Sequence, residues 1–207
     1  AAGDQARSQE LAVRATTLFP AVRRPWLHLA AARLALEQWG PAIEAARRAE
    51  RTPDDTWAPP PVPDETQAGP PYWEGWALYR TQRYEEALPL LRRATSRAPR
   101  WAEAARALGE AEFVAGHASA ALAAYTTAFD LDPQVGGGQD LAYFAEARAS
   151  AGDLAGGVAA LQEALHRSPY LPGLHAKLGD LLRREGQLAQ AYYELVLEAL
   201  VHGVQGP

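Results

Sequence analysis

Three prolines set the frame of this chain. Pro99 and Pro133 are 34 residues apart, and Pro133 and Pro169 are 36 apart. Five positions before each stands an alanine (Ala94, Ala128, Ala164), and seven before that a second small residue (Ala87, Ala121, Gly157). Twelve further back stands a third (Gly75, Gly109, Ala145). A period of this size marks a repeat architecture, in which each unit buries its apolar face only against its neighbours. Small residues at fixed positions let two helices approach closely. Gly116, Gly152 and Gly186 fall between the halves of their units, where a left-handed residue can end a helix. Positions such as Leu122, Tyr125 and Phe129 follow helical spacing, and no segment alternates with period two for long enough to predict a strand.

With these positions in hand, the chain resembles the tetratricopeptide repeat (TPR) family, whose unit is 34 residues and two antiparallel helices. Residues 102–135 match best, through Leu108-Gly109, Gly116, Ala121, Tyr125, Ala128 and Pro133. Residues 138–171 follow a two-residue insertion, Gly136-Gly137, and residues 68–101 supply Gly75, Tyr84, Ala87, Leu91, Ala94 and Pro99. Residues 23–56 carry the family tryptophan as Trp26, with Leu29-Ala30, Ala42 and Ala49. Residues 172–205 form a degenerate last unit, where Glu198 replaces the usual small residue and the closing proline is missing. Residues 1–22 fit the second helix of a preceding unit or a capping helix, with Ala15 in register before Pro20. The resemblance implies an all-α, right-handed superhelical solenoid of helix-turn-helix repeats.

One interruption breaks the series. Residues 57–67 add eleven positions between two units and contain Pro59-Pro60-Pro61 and Pro63. They predict an extended, polyproline-like segment, either a stiff connector or a lid or proline-rich ligand. Pro70-Pro71 are expected at the start of the next helix, where proline is tolerated.

Composition excludes several kinds of function. With 48% hydrophobic and 22% charged residues, the 207-residue chain has a globular balance. Its net charge of −5 argues against a uniformly cationic nucleic-acid surface. No run approaches the roughly 18 apolar residues of a membrane span. Cysteine is absent, so thiol nucleophiles, disulfides and thiolate metal sites are excluded and the redox compartment cannot be read. His28, His117, His166, His175 and His202 show no ligand spacing, and Gly136-Gly137-Gly138 lacks the Lys and Ser/Thr of a phosphate loop. No catalytic residue, cofactor or metal is therefore expected. Nineteen arginines against the single Lys177, with no Asn or Met, fit a GC-rich coding genome. The missing initiator Met is expected from Met removal, leader cleavage or excision from a longer chain, and both cytoplasm and cell envelope are compatible.

The resemblance also locates a groove. In TPR proteins the first helix of each unit lines the concave face, chiefly through its second, fifth, ninth, twelfth and thirteenth positions. Carried onto this chain, these give Tyr72, Trp76, Tyr79 and Arg80, then Glu103, Arg106, Glu110, Phe113 and Val114. They continue through Glu146, Ala149 and Ser150 to Asp180, Arg183 and Arg184, while Leu27, Ala31, Leu34 and Ala35 come from the first full unit. Tyr72, Trp76 and Tyr79 are spaced to share one helix face. They are either core or, because Gly75, Ala77 and Leu78 already take the core roles, a rigid aromatic surface for a peptide.

Charge is uneven along the chain. Residues 68–101 carry six basic and three acidic side chains, whereas 102–171 carry three arginines against nine carboxylates. Glu103, Glu110 and Glu146 thus suggest an acidic groove beside an aromatic one. The partner expected is a protein or peptide with apolar anchors and a Lys or Arg; solvated helix faces are the alternative. The Lys/Arg/Asn clamp by which some TPR domains hold acidic chaperone tails is not expected, since Asn is absent and Leu27 and Ala31 stand in its positions.

The last helix is apolar on more than one side. Tyr193, Leu197, Leu200 and Val201 are the candidate oligomer face, expected to be covered by a symmetric copy in a homodimer, by a groove-swapped tail or by a further domain. Two functions follow: a non-enzymatic scaffold that binds a partner segment in its groove, or an assembly subunit that works through its end faces.

Overall fold

The computed structural model describes residues 2–53 and 63–204. Among them eleven α-helices follow one another: α1 (Ala2–Leu18), α2 (Arg23–Ala35), α3 (Trp39–Arg51), α4 (Pro63–Arg80), α5 (Tyr84–Arg97) and α6 (Ala102–Val114). Then come α7 (Ala118–Leu131), α8 (Gly138–Ser150), α9 (Leu154–Arg167), α10 (Leu174–Arg184) and α11 (Leu188–Val204). The described residues contain no strand. They form two compact units, 1–111 and 112–207.

In the first unit α2 pairs with α3 and α4 with α5, α1 packs on α2, and α3 packs on α4. In the second, α8 pairs with α9 and α10 with α11, α7 packs on α8, and α9 packs on α10. Each hairpin therefore covers the apolar face that its neighbour exposes. Leu29, Leu78 and Leu91 are fully enclosed in the first unit, and Tyr125, Leu161 and Leu174 in the second. Each aliphatic side chain among them contributes about 2 kcal/mol by leaving water.

The small residues sit at the closest helix approaches. Ala87, Ala121, Ala145 and Ala164 have no exposed surface. A Cβ added at Gly75 would stand 3.0 Å from the Leu91 side chain. One added at Gly157 would stand 2.9 Å from Leu181 and 3.0 Å from the Ala145 carbonyl oxygen.

The turn inside each hairpin has one recurring conformation. Its left-handed residues are Glu37 (φ 56°), Gln82 (φ 62°), Gly116 (φ 83°), Gly152 (φ 92°) and Gly186 (φ 85°). The second unit uses glycine throughout, which carries no Cβ penalty there, and the first unit uses two long polar side chains instead.

The Pro-rich segment departs from its expectation. Residues 57–62 lie outside the described residues, but residues 63–67, expected to be extended, are helical because α4 starts at Pro63. Proline at the first helical position loses no needed N–H. Consequently Pro70 and Pro71 lie inside α4 and not at its start. Both are fully buried.

Helix starts are fixed by local acceptors. The Asp153 carboxylate accepts from Gly156 N at 2.9 Å, and that of Asp140 from Gly137 N at 2.8 Å. The start of α10 is held differently. Glu198, far along α11 and buried, accepts from Gly173 N at 2.8 Å and Ala176 N at 3.2 Å. The residue that breaks the repeat pattern thus caps a neighbouring helix.

Candidate functional site

In the first unit α4 and α6 face each other through two matched rows. Helical periodicity puts Tyr72, Trp76 and Tyr79 on one side of α4, and Glu103, Arg106 and Glu110 on one side of α6. The rows meet member by member. The Tyr72 hydroxyl donates to Glu103 Oε1 at 3.3 Å, and that of Tyr79 to Glu110 Oε1 at 2.9 Å. Between them the Arg106 guanidinium lies 5.1 Å from the centre of the Trp76 ring. Arg106 also donates to Glu103 at 2.5 and 3.1 Å and to Glu110 at 2.9 Å.

These contacts divide the aromatic stripe between core and surface. Tyr72 is buried, so as a groove wall it is replaced by its neighbours: its ring packs 4.6 Å from Trp73 and 4.5 Å from Trp101. Burial, with the Glu103 carboxylate adding to it, pushes its hydroxyl pKa far upward, so it remains a neutral donor. Trp76 and Tyr79 are half-buried and stacked, their rings 5.1 Å apart and 24° from parallel. They form an aromatic ledge that packs on the Leu78 core, with Tyr84 5.6 Å from Tyr79, and keeps part of its surface exposed. Arg80, beside the ledge, lies 4.8 Å over the Trp39 ring.

The acidic residues of the expected groove already have cations. Arg106 is buried between Glu103 and Glu110. The Glu103 side chain keeps 41% of its surface exposed, so two carboxylates and one guanidinium leave an open acceptor at the edge of the ledge.

The second unit holds the remaining groove positions. Glu146 on α8 pairs with Lys177 on α10, and Asp180 pairs with Arg183 at 2.6 Å. Glu146, Ala149, Ser150, Lys177, Asp180 and Arg184 line a cleft of about 400 Å³. Lys177, the single lysine, was not among the sequence-derived positions, because its pairing depends on how α8 meets α10. Phe113 stacks on Tyr143 at 4.7 Å and joins the edge of the second unit's core.

Two further pairs escaped the sequence reading. Glu112 is buried with His117 Nδ1 at 2.8 Å, and His175 Nδ1 lies 2.7 Å from Glu194, tying α10 to α11. Among the described residues, no three His, Asp or Glu side chains gather as metal ligands. No helix there is long and apolar enough to cross a membrane.

The exposed face of α11 differs from the expected one. Leu197 and Val201 turn half inward against the hairpin, whereas Tyr193 and Leu200 stay exposed. The outward stripe is Leu188, Tyr192, Leu195, Val196 and Leu200, with Tyr192 72% exposed.

No family model matches the chain, and no curated protein matches it either. Solved structures do. MamA from Desulfovibrio magneticus RS-1 superposes with a TM-score of 0.70 at 16% identity, covering 89% of this chain and 97% of that one. A chain of the APC/C hetero-tetramer Cut9-Hcn1 reaches 0.71 at 14% identity, over 97% of this chain and 37% of its own. YrrB, described as a TPR protein with an unusual peptide-binding site, reaches 0.57 at 17% identity, over 81% and 80%. At these identities the likeness establishes the fold, a TPR-like all-helical repeat.

Proposed function

We propose that this chain is a non-catalytic protein-interaction scaffold that receives an extended or helical segment of a partner protein on the Trp76 ledge. The observation that carries this reading is the stacked Trp76–Tyr79 pair, partly exposed and backed by a buried arginine. Rigid aromatics of this kind bind apolar anchors at little cost in side-chain entropy. Glu103, with its exposed carboxylate edge, supplies the acceptor for a Lys or Arg beside those anchors. Arg80 flanks the same ledge. In the second unit the cleft with Glu146 and Asp180 is proposed as a further, polar contact site, with Arg183 at its rim.

The fold relatives support the same class of function: YrrB has a peptide-binding site, and Cut9-Hcn1 is an assembly of different chains. A randomised peptide library selected on the wild-type protein tests the proposal. Selected peptides should pair an aromatic or aliphatic residue with a nearby Lys or Arg. Trp76→Ala should weaken them roughly 30-fold or more, the loss of about 2 kcal/mol typical of an interface hot spot. Peptides that bind wild type and variant equally would overturn it. The second reading, assembly through end faces, is favoured by the uncovered stripe of α11.

A further inference from the structure

The chain carries two apolar surfaces of opposite relief. One is the stripe on α11, where Leu188, Tyr192, Val196 and Leu200 are exposed and Leu195, 47% exposed, also packs over Gly179 of α10. Among the described side chains of this helix no charged one is exposed, since Glu194 is held by His175 and Glu198 caps α10. The other surface is a cleft of about 660 Å³ between α1 and α2, floored by Leu11, Ala12, Ala15, Ala31, Ala32 and Ala35. Five of those six are alanines, so the surface is a trough, left open where longer side chains would have filled it. Arg24 and His28 stand at its wall, and no carboxylate lines it.

We infer that α11 of one copy seats in the α1–α2 trough of a second copy, so that the chain assembles head to tail. Relief is the first argument, because large side chains pack into holes made by small ones. Length is the second. At 1.5 Å per residue the lining spans about 15 Å along α1 (Gln5 to Ala15) and about 17 Å along α2 (Arg24 to Ala35), and the stripe spans about 18 Å (Leu188 to Leu200). Chemistry is the third. The exposed rings of Tyr192 and Tyr193 offer faces on which the Arg24 guanidinium can stack while keeping the contacts it already makes, as Arg106 does on Trp76. A twofold contact of α11 with itself lacks these fits, since it would set one row of large side chains against an identical row.

The two faces differ, so each added copy leaves one face of each kind open. Growth therefore proceeds to longer polymers or to a closed ring, the smallest of which is a reciprocal dimer with both pairs of faces engaged. This inference is independent of the Trp76 ledge.

The test is light scattering of the purified chain across a concentration series, with Tyr192→Asp as a face-blocked variant and Ala35→Arg as a trough-filled one. Both positions are exposed, and circular dichroism melts check that each variant keeps its fold. Wild type should exceed the mass of one copy as concentration rises, and each variant alone should remain a monomer. An equimolar mixture of the variants should form a one-to-one complex that grows no further, because only one intact pair of faces remains. A wild-type monomer throughout would overturn the inference. So would a wild-type dimer unaffected by Ala35→Arg, which would indicate a twofold α11 contact.

Discussion

The guanidinium of Arg106 lies 5.1 Å from the centre of the Trp76 ring while it bonds two carboxylates on its own helix. One buried cation thereby serves both as the electrostatic centre of α6 and as the floor of the aromatic ledge on α4. Buried ion pairs of this kind contribute little relative to an apolar replacement, yet breaking one leaves charges without their partner.

Removing the cation alone should therefore be costly. Arg106→Met should destabilise the protein by about 2 kcal/mol at neutral pH, because Glu103 and Glu110 then repel each other near the ledge. Arg106→Lys should recover only part of the loss, since an ammonium cannot bridge both carboxylates while stacking on Trp76. Urea denaturation of the three proteins checks this. The order wild type, Lys, Met in midpoint is expected.

The turn residues permit a stabilising change. Gln82 occupies the left-handed region at φ 62°, where Gly116 and its counterparts sit in the second unit. Its side chain is exposed, so substitution removes no packing. Gln82→Gly should stabilise by about 1 kcal/mol and raise the melting temperature by a few degrees. Gly116→Gln should lower stability by a similar amount. Thermal melts of both variants give the answer, and a loss from Gln82→Gly would contradict the conformational argument.

These positions explain what could be read without a structure. Closely packed small residues and turn residues act over a few positions of chain, and their spacing leaves a periodic mark. The hairpin order was therefore legible from Gly75, Gly116 and Pro133. The chemistry between helices was not. Glu103 and Glu110 read as acidic groove residues, but whether Arg106 reaches both depends on its rotamer and on the height of α4. Glu198 looked like decay of the repeat, because nothing in the local sequence reveals that its carboxylate caps α10. Tyr72, Trp76 and Tyr79 share a face, but only the neighbouring Trp101 ring decides which of them is core.

The close approach at Gly157 can be tested against helix propensity. Alanine is the better helix former by about 1 kcal/mol, so an open site would gain from Gly→Ala. Here the added methyl would stand 3.0 Å from the Ala145 carbonyl oxygen, a backbone atom that cannot rotate away, and 2.9 Å from Leu181. Gly157→Ala should therefore destabilise by about 1 to 3 kcal/mol. Gly40→Ala, with nothing within 4 Å, should not. Chemical denaturation of the pair separates the steric term from the propensity term.

Tyr72 links the ledge to pH. Its folded-state pKa is raised, by burial first and by the Glu103 charge second, so the folded chain holds this proton more tightly than the unfolded chain. The stabilisation is fully present below the ordinary tyrosine pKa of about 10 and is lost as pH rises beyond it. In that range the unfolded chain releases a proton that the folded chain keeps. Stability should fall by up to about 1.4 kcal/mol per pH unit from this residue alone. Tyr72→Phe should flatten the alkaline slope while costing about 1 kcal/mol at neutral pH, where the hydrogen bond to Glu103 is lost. Urea midpoints measured from pH 8 to 11 for both proteins check the sign. Parallel slopes would mean that Tyr72 ionises in the folded state as readily as in the unfolded one, which its enclosure by Trp73 and Trp101 argues against.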